Sequence, residues 1–263
     1  MNKEELLKKY PKEEDKLLIS KLLDKIENCK TKNKPENTEF LDLYEKSILT
    51  KIIAMYNMQH IFYGGFDGSE RTICILCPDK LDIELIKDNI FQIVRIILPK
   101  DLHAKYQHKN YLGAIFKLGI KREKVGDILV REDGADIIVI KDMVEYIKQE
   151  LSELTRFGKS EVNILNIQDL QKVKNQKEEF TIIVPSLRLD CIVSELIRSS
   201  RTKANEAIIS GRVFINSENI LKNSKLVKQG DIITIRGKGK FEFAKITGNT
   251  KKDRNILKMY KYV

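Results

Sequence analysis

The sequence is short of the residues that build disulfide frameworks and metal centres. Four cysteines in 263 residues, Cys29, Cys74, Cys77 and Cys191, are too few and too unevenly spread for a disulfide scaffold. The three histidines, His60, His103 and His108, have no HExxH-type spacing. Cys74 and Cys77 form a CxxC without a second pair, inside an apolar run where a strand turns the two thiols to opposite faces. Neither GxGxxG nor GxxxxGK[ST] occurs, which removes the common glycine-rich nucleotide cradles. No run approaches the ~18 apolar residues of a spanning helix, and Met1 to Tyr10 lacks the apolar stretch of a secretory signal. The expectation is a cytoplasmic protein with no metal, no cofactor and no membrane partner.

What the chain does have is positive charge, unevenly placed. The net charge is +10, yet residues 1–181 hold 31 basic and 31 acidic side chains. Residues 182–245 hold 12 basic and 6 acidic, and residues 246–263 hold 5 and 1. The Lys- and Asn-rich composition runs through the whole sequence, so composition alone would have charged the first part too. A neutral body with a basic C-terminal module is the electrostatic footprint of a polyanion binder, because each neutralised phosphate releases counterions.

Periodicity divides the chain further. Leu18, Leu22 and Ile26 recur at helical spacing within Glu13 to Cys29, and Leu41, Tyr44, Ile48, Ile52 and Met55 do so between about Glu39 and Tyr56. These define an N-terminal helical segment, 1–57. Over 58–167 short β-rich runs (His60 to Tyr63, Thr72 to Cys77, Ile90 to Leu98, Asp127 to Val130, Asp136 to Ile140, Val162 to Ile167) alternate with helical stretches at Lys105 to Leu118 and Asp142 to Leu154. The expectation is an α+β domain, a small sheet covered by helices on one face. Residues 168–180 are polar and read as a linker. Residues 181–245 give a strand, two short helices with Ser199 or Ser200 capping the second, Gly211 as its stop, and a paired strand at Ile232 to Ile235 against Arg212 to Asn216. Residues 246–263 read as a basic tail.

The order Arg188-Leu189-Asp190, Ser200-Arg201, Ala204, Ala207-Ile208-Ile209, Gly211-Arg212-Val213-Phe214-Ile215-Asn216, Lys222 and Gly230-Asp231-Ile232-Ile233 resembles the S4 RNA-binding domain over about sixty residues. Upstream, Phe62-Tyr63-Gly64-Gly65-Phe66, Glu70-Arg71, His108, Tyr111-Leu112-Gly113-Ala114, Leu118-Gly119-Ile120, Arg122-Glu123-Lys124 and Val125 to Val130 resemble the YlmH family, with departures at Asn110 and Phe66. That resemblance spans about residues 60–240. It implies an RNA-binding-like α+β domain followed by an S4 domain, and association with the large ribosomal subunit and tRNA in rescue or quality control of stalled translation, with a link to cell division.

The chemistry follows that reading. Arg188, Arg201, Lys203, Arg212, Lys222 and Lys225 are the expected phosphate-positioning cations, with Arg201, Lys203 and Arg212 gathered near one helix end and Arg201 and Arg212 suited to bidentate contacts. Lys238 and Lys240, in Gly237-Lys238-Gly239-Lys240, can approach a phosphate closely. Arg122 and His108 are further RNA-contact candidates, and Tyr63, Phe66 and Tyr111 are candidates for base stacking. No catalytic residue is expected. A pseudouridine synthase or RNA methyltransferase is the enzymatic alternative, but Asp190 fits better as a helix-start residue than as a catalytic aspartate. An adaptor for a protein partner through the N-terminal helices is the third class, and a monomer is the simplest state.

Overall fold

A computed structural model describes residues 3–154, 156–171 and 177–262. Two compact units divide the chain, Met1–Val173 and Lys174–Val263.

In the first unit, α1 (Lys3–Lys8) precedes the long α2 (Glu13–Lys32), which buries Ile19, Leu22, Leu23, Ile26 and Cys29 on one stripe. Asn33, left-handed at φ 49°, ends it. The next helix, α3 (Leu43–Ile53), starts later than its apolar spacing suggests. Phe40 is buried, Leu41 bridges Thr72, and Asp42 and Glu45 close a reciprocal cap on each other's amides at 2.9 and 2.8 Å. Between the helices, β1 (Glu36–Asn37) pairs antiparallel with β3 (Ile73–Cys77), whose other edge pairs with β2 (Gln59–Tyr63). The expected boundary at residue 57 is therefore no boundary in the fold: the N-terminal segment supplies a strand and a core phenylalanine to the same unit.

After the short α4 (Ile83–Ile86) comes the second sheet, in the order β5 (Val125–Arg131), β6 (Gly134–Ile140), β4 (Phe91–Ile97) and β7 (Glu161–Asn166), antiparallel throughout. Gly134 is required at its turn, since a Cβ there would sit 1.8 Å from the Ile96 carbonyl oxygen. Helices α5 (His108–Lys117) and α6 (Val144–Glu153) cover one face, where Val94, Ile96, Ala135, Ile137 and Val139 meet Tyr111, Ile115, Ile147 and Leu151. The alternate residues Phe91, Ile93 and Ile138 pack with Phe40, Ile73, Ile75 and Cys77. So the sheet is covered on both faces, not one, because its strands carry apolar residues at both parities.

The second unit is one six-stranded antiparallel sheet with two helices on its core face. Its order is β10 (Glu218–Asn219), β9 (Val213–Ile215), β11 (Ile232–Ile235), β12 (Gly239–Asn249), β13 (Asn255–Tyr262) and β8 (Lys177–Val184). Leu189, Ile192 and Val193 of α7 (Leu189–Leu196) and Ala204 and Ile208 of α8 (Arg201–Ile209) pack on Val213, Ile215, Ile233, Phe241, Phe243, Leu257, Met259 and Val184. Ser200 caps α8, its hydroxyl accepting from the Lys203 amide, and Gly211 at φ +74° leaves it.

Two expectations change here. Residues 246–262 are not a tail: β12 runs to Asn249 and β13 fills the place between β12 and β8, with Leu257 and Met259 fully buried. The expected linker is also shorter. Residues 172–176 lie outside the described residues, but Ile167–Asp169 is a 3-10 turn with Ile167 buried, and Lys177 already begins β8.

Candidate functional site

Both helices of the second unit begin with arginine, where the helix dipole favours acids. Arg188 is the N-cap of α7 and Arg201 the first residue of α8. Asp190, 2% exposed, resolves the conflict. Arg188 donates to it twice, Nε to Oδ1 at 3.1 Å and Nη2 to Oδ2 at 2.9 Å, and Arg201 Nη2 donates to Oδ2 at 2.6 Å. Oδ1 also accepts from the Cys191 amide at 3.0 Å. The two guanidiniums hold this carboxyl far below the usual carboxylate range.

Their own side chains stay 40% and 55% exposed. One buried carboxylate thus fixes the orientation of two solvent-facing guanidiniums at the start of two helices. Such an arrangement suits an anion with several acceptor oxygens, because the forks are preorganised and the nearby helix amides add partial positive charge.

The loop that carries Lys222 and Lys225 is tied to the same place through backbone. Leu189 N donates to Lys225 O at 2.8 Å, Asp190 N to Asn223 O at 3.2 Å, and Arg188 forms an isolated bridge with Leu226. Both lysines are exposed, as is Lys203 in the first turn of α8. The structure therefore brings Arg188, Arg201, Lys203, Lys222 and Lys225 to one end of the helix pair.

Arg212 does not join them at that helix end. It follows the last turn of α8, about 13 Å along the axis from Arg201. There its carbonyl accepts from the Arg236 amide at 2.9 Å, which places it by the β11–β12 hairpin. Lys238 is exposed at that hairpin's tip, between Gly237 and Gly239, both at positive φ. Lys240 lies with its ammonium 4.8 Å from the Tyr262 ring centroid, on the sheet.

The candidates of the first unit have other work. Arg122 Nη1 donates to the Val125 and Gly126 carbonyls, and burial with Arg71 nearby pushes its pKa down to about 10. His108 opens α5, half-buried, and burial and the Arg122 charge lower its pKa. Tyr111 is fully buried and stacked on Phe157 at 5.7 Å, which removes it as a base-stacking surface. Tyr63 and Phe66 are half-buried and pack against the Phe91 side of the second sheet. Cys74 and Cys77 are buried on opposite faces of β3, and burial pushes the Cys74 thiol up to about 12. Among the described residues no group of three or more His, Cys, Asp or Glu is placed to hold a metal ion.

The fold is that of an α+β protein whose C-terminal unit carries a surface cluster of oriented cations. The family model described as "Putative RNA-binding domain in YlmH" matches residues 86–171. The chain is 32% identical over 220 residues, covering 82% of it and 83% of its counterpart, to "Ribosome-associated protein quality control protein P2" of Bacillus subtilis (strain 168). A solved structure, "Cell division protein ylmH from Streptococcus pneumoniae", shares the fold with a TM-score of 0.51 and 21% identity, over 62% of this chain and 96% of that one. The chain belongs to the YlmH family.

Proposed function

We propose that this chain is a non-enzymatic, cytoplasmic RNA-binding protein that associates as a monomer with the large ribosomal subunit and tRNA in rescue or quality control of stalled translation. Its C-terminal unit acts as an S4 RNA-binding domain. The observation that carries the reading is the guanidinium pair fixed on Asp190, because two oriented forks beside Lys203, Lys222 and Lys225 match the phosphates of folded RNA, which is read largely by shape. The relative's printed name and the family description support the ribosomal and RNA parts of it. The same geometry weighs against the synthase alternative: Asp190, the aspartate that reading needs, spends both oxygens on two arginines and an amide. No helix among the described residues is long and apolar enough to cross a membrane.

The test is co-sedimentation with separated subunits, intact ribosomes and large subunits carrying peptidyl-tRNA, across a salt series. Retention on the large subunit, strengthened by tRNA and abolished in the Arg188→Ala plus Arg201→Ala variant, is the expected outcome. Free protein at every salt concentration overturns the proposal.

A further inference from the structure

The sheet of the second unit has two unlike faces. On strands β12 and β13, Phe241, Phe243, Leu257 and Met259 point to the core under α7 and α8. The alternate residues form the opposite face, and there the chain places two aromatic rings among cations. Tyr260 and Tyr262 are neighbours on this side of β13, about 7 Å apart along the strand. Lys177 lies 5.8 Å from the Tyr260 centroid and 4.9 Å from that of Tyr262. Lys258 is 5.5 Å from Tyr260, and Lys240 is 4.8 Å from Tyr262. Two carboxylates steady the array: Glu242 accepts from Lys177 at 2.6 Å and from the Tyr262 hydroxyl at 3.0 Å, and Glu179 pairs with Lys258 at 2.5 Å.

The position of the rings asks for an explanation beyond packing. A tyrosine on a sheet's outer face buries less apolar area than one in the core, while the cations around it raise the local positive potential. The stretch that builds this strand and its hairpin is also one-sided in charge, with 5 basic residues and 1 acidic in 246–263. Paired rings at strand spacing with ammonium groups between them are what an extended, unpaired polynucleotide needs: a π-face for each of two bases and a cation for the phosphate that links them. A duplex, whose bases are already stacked, gains nothing from the rings.

We propose that this face, centred on Tyr260 and Tyr262 with Lys177, Lys240 and Lys258, is a second RNA-binding surface that takes two or three unpaired nucleotides. It lies on the side of the sheet away from α7 and α8, so it adds a single-stranded contact to the one made by the guanidinium pair. The lysines exchange their rings for phosphates when the strand arrives, and the bases take their places on the rings.

The chain has no tryptophan, so Tyr262→Trp in the full-length protein gives one indole that reports on this face alone. Titration with a 12-nucleotide oligouridylate is expected to quench its fluorescence, and a duplex of equal length is not. Tyr260→Leu, or Lys177→Gln with Lys258→Gln, weakens the oligouridylate at least about fivefold in anisotropy titrations, as removal of one base-stacking platform implies. Circular dichroism establishes that each variant is folded. In the parent, Tyr262→Phe keeps the ring and gives up the hydroxyl's contacts with Glu242 and Lys177. Affinity near that of the parent supports stacking, whereas a loss equal to that of Tyr262→Leu overturns it. Oligouridylate bound without quenching, equal quenching by duplex, or no binding also overturns the proposal. Large-subunit co-sedimentation reads the guanidinium pair, so the two readings fail separately.

Discussion

Each unit of this protein buries one aspartate between two arginines, and the two constructions differ in which way they face. In the first unit Asp136, fully buried on β6, accepts from Arg95 Nε at 2.8 Å and Nη2 at 2.7 Å and from Arg131 Nη1. Those arginine side chains are only 14% and 9% exposed, and they also donate to the carbonyls of Asp169 and Ile96 and the carboxylate of Asp133. In the second unit Asp190 is as buried, but Arg188 and Arg201 reach solvent. The ion pairs are alike in chemistry. A triad whose cations are held inside braces strands, while one whose cations face outside presents oriented guanidiniums at the surface, as the proposed RNA contact requires.

The largest effect expected from breaking this parallel is at Asp136. Asp136→Asn takes the shared carboxylate from two nearly buried guanidiniums, leaving Arg131 only its pair with Asp133, and costs about 3 to 5 kcal/mol in urea unfolding of the first unit, with RNA affinity of the folded protein retained. Equal losses of RNA binding at Asp136 and Asp190 would erase the distinction.

A third aspartate sharpens the comparison by lacking such a cation pair. Asp127 accepts from the Glu70 and Arg71 amides at 2.7 and 3.1 Å, and burial pushes its carboxyl up to about 6. Its unfolded value is near ~3.9. Between those values the native state binds more protons, so this group's contribution to stability falls as pH rises from about 4 to 6, by on the order of 2 kcal/mol. Asp127→Asn removes that slope, and unfolding curves at a series of pH values measure it. Asp190 behaves oppositely. Its carboxyl is depressed, so its stabilisation is fully present above about pH 4 and is lost only in stronger acid.

Asp190→Asn is expected to cost less stability than Asp136→Asn, because Arg188 and Arg201 can turn to water. It also adds a positive charge, which by charge counting alone would tighten RNA binding. Preorganisation predicts the reverse, an affinity for large subunits about three- to tenfold weaker, read by sedimentation at fixed salt. The smallest effect is that of Arg201→Ala or Arg188→Ala singly. Stability falls by less than in Asp136→Asn, because one guanidinium still pairs with Asp190, and the slope of log affinity against log salt falls by about 1 for each phosphate the variant no longer neutralises.

The legible and illegible parts of the chain divide along physical lines. Helix and strand positions in 59–166 are readable because period and punctuation agree there, as in the strand pair that turns at Asp133-Gly134. Period alone misplaces the start of α3, since the apolar spacing runs back past Asp42 while Leu41 is drawn into a bridge with Thr72. The last strand escapes a reading by composition although its signal is present: Leu257 and Met259 alternate with Lys258, Tyr260 and Tyr262, a period of two that the surrounding charge conceals. Of the candidate cations, Arg188, Arg201, Lys203, Lys222 and Lys225 lie at one end of the α7–α8 pair. Arg212 leaves the far end of α8, because nearness along a chain says little about where a helix of nine residues delivers its ends.

By itself the sequence determined the α+β class, the neutral first part, the basic C-terminal module and its row of candidate cations. Those properties reside in composition and short-range period, which survive without any contact between distant residues. Only the tertiary structure decided which cations act together. It set Asp190 between arginines from two helices, closed Arg95 and Arg131 around Asp136, and turned Tyr260 and Tyr262 to the outside of a sheet. Charge is local in sequence, but desolvation and orientation, which decide whether a guanidinium braces the fold or meets a phosphate, depend on what packs around it.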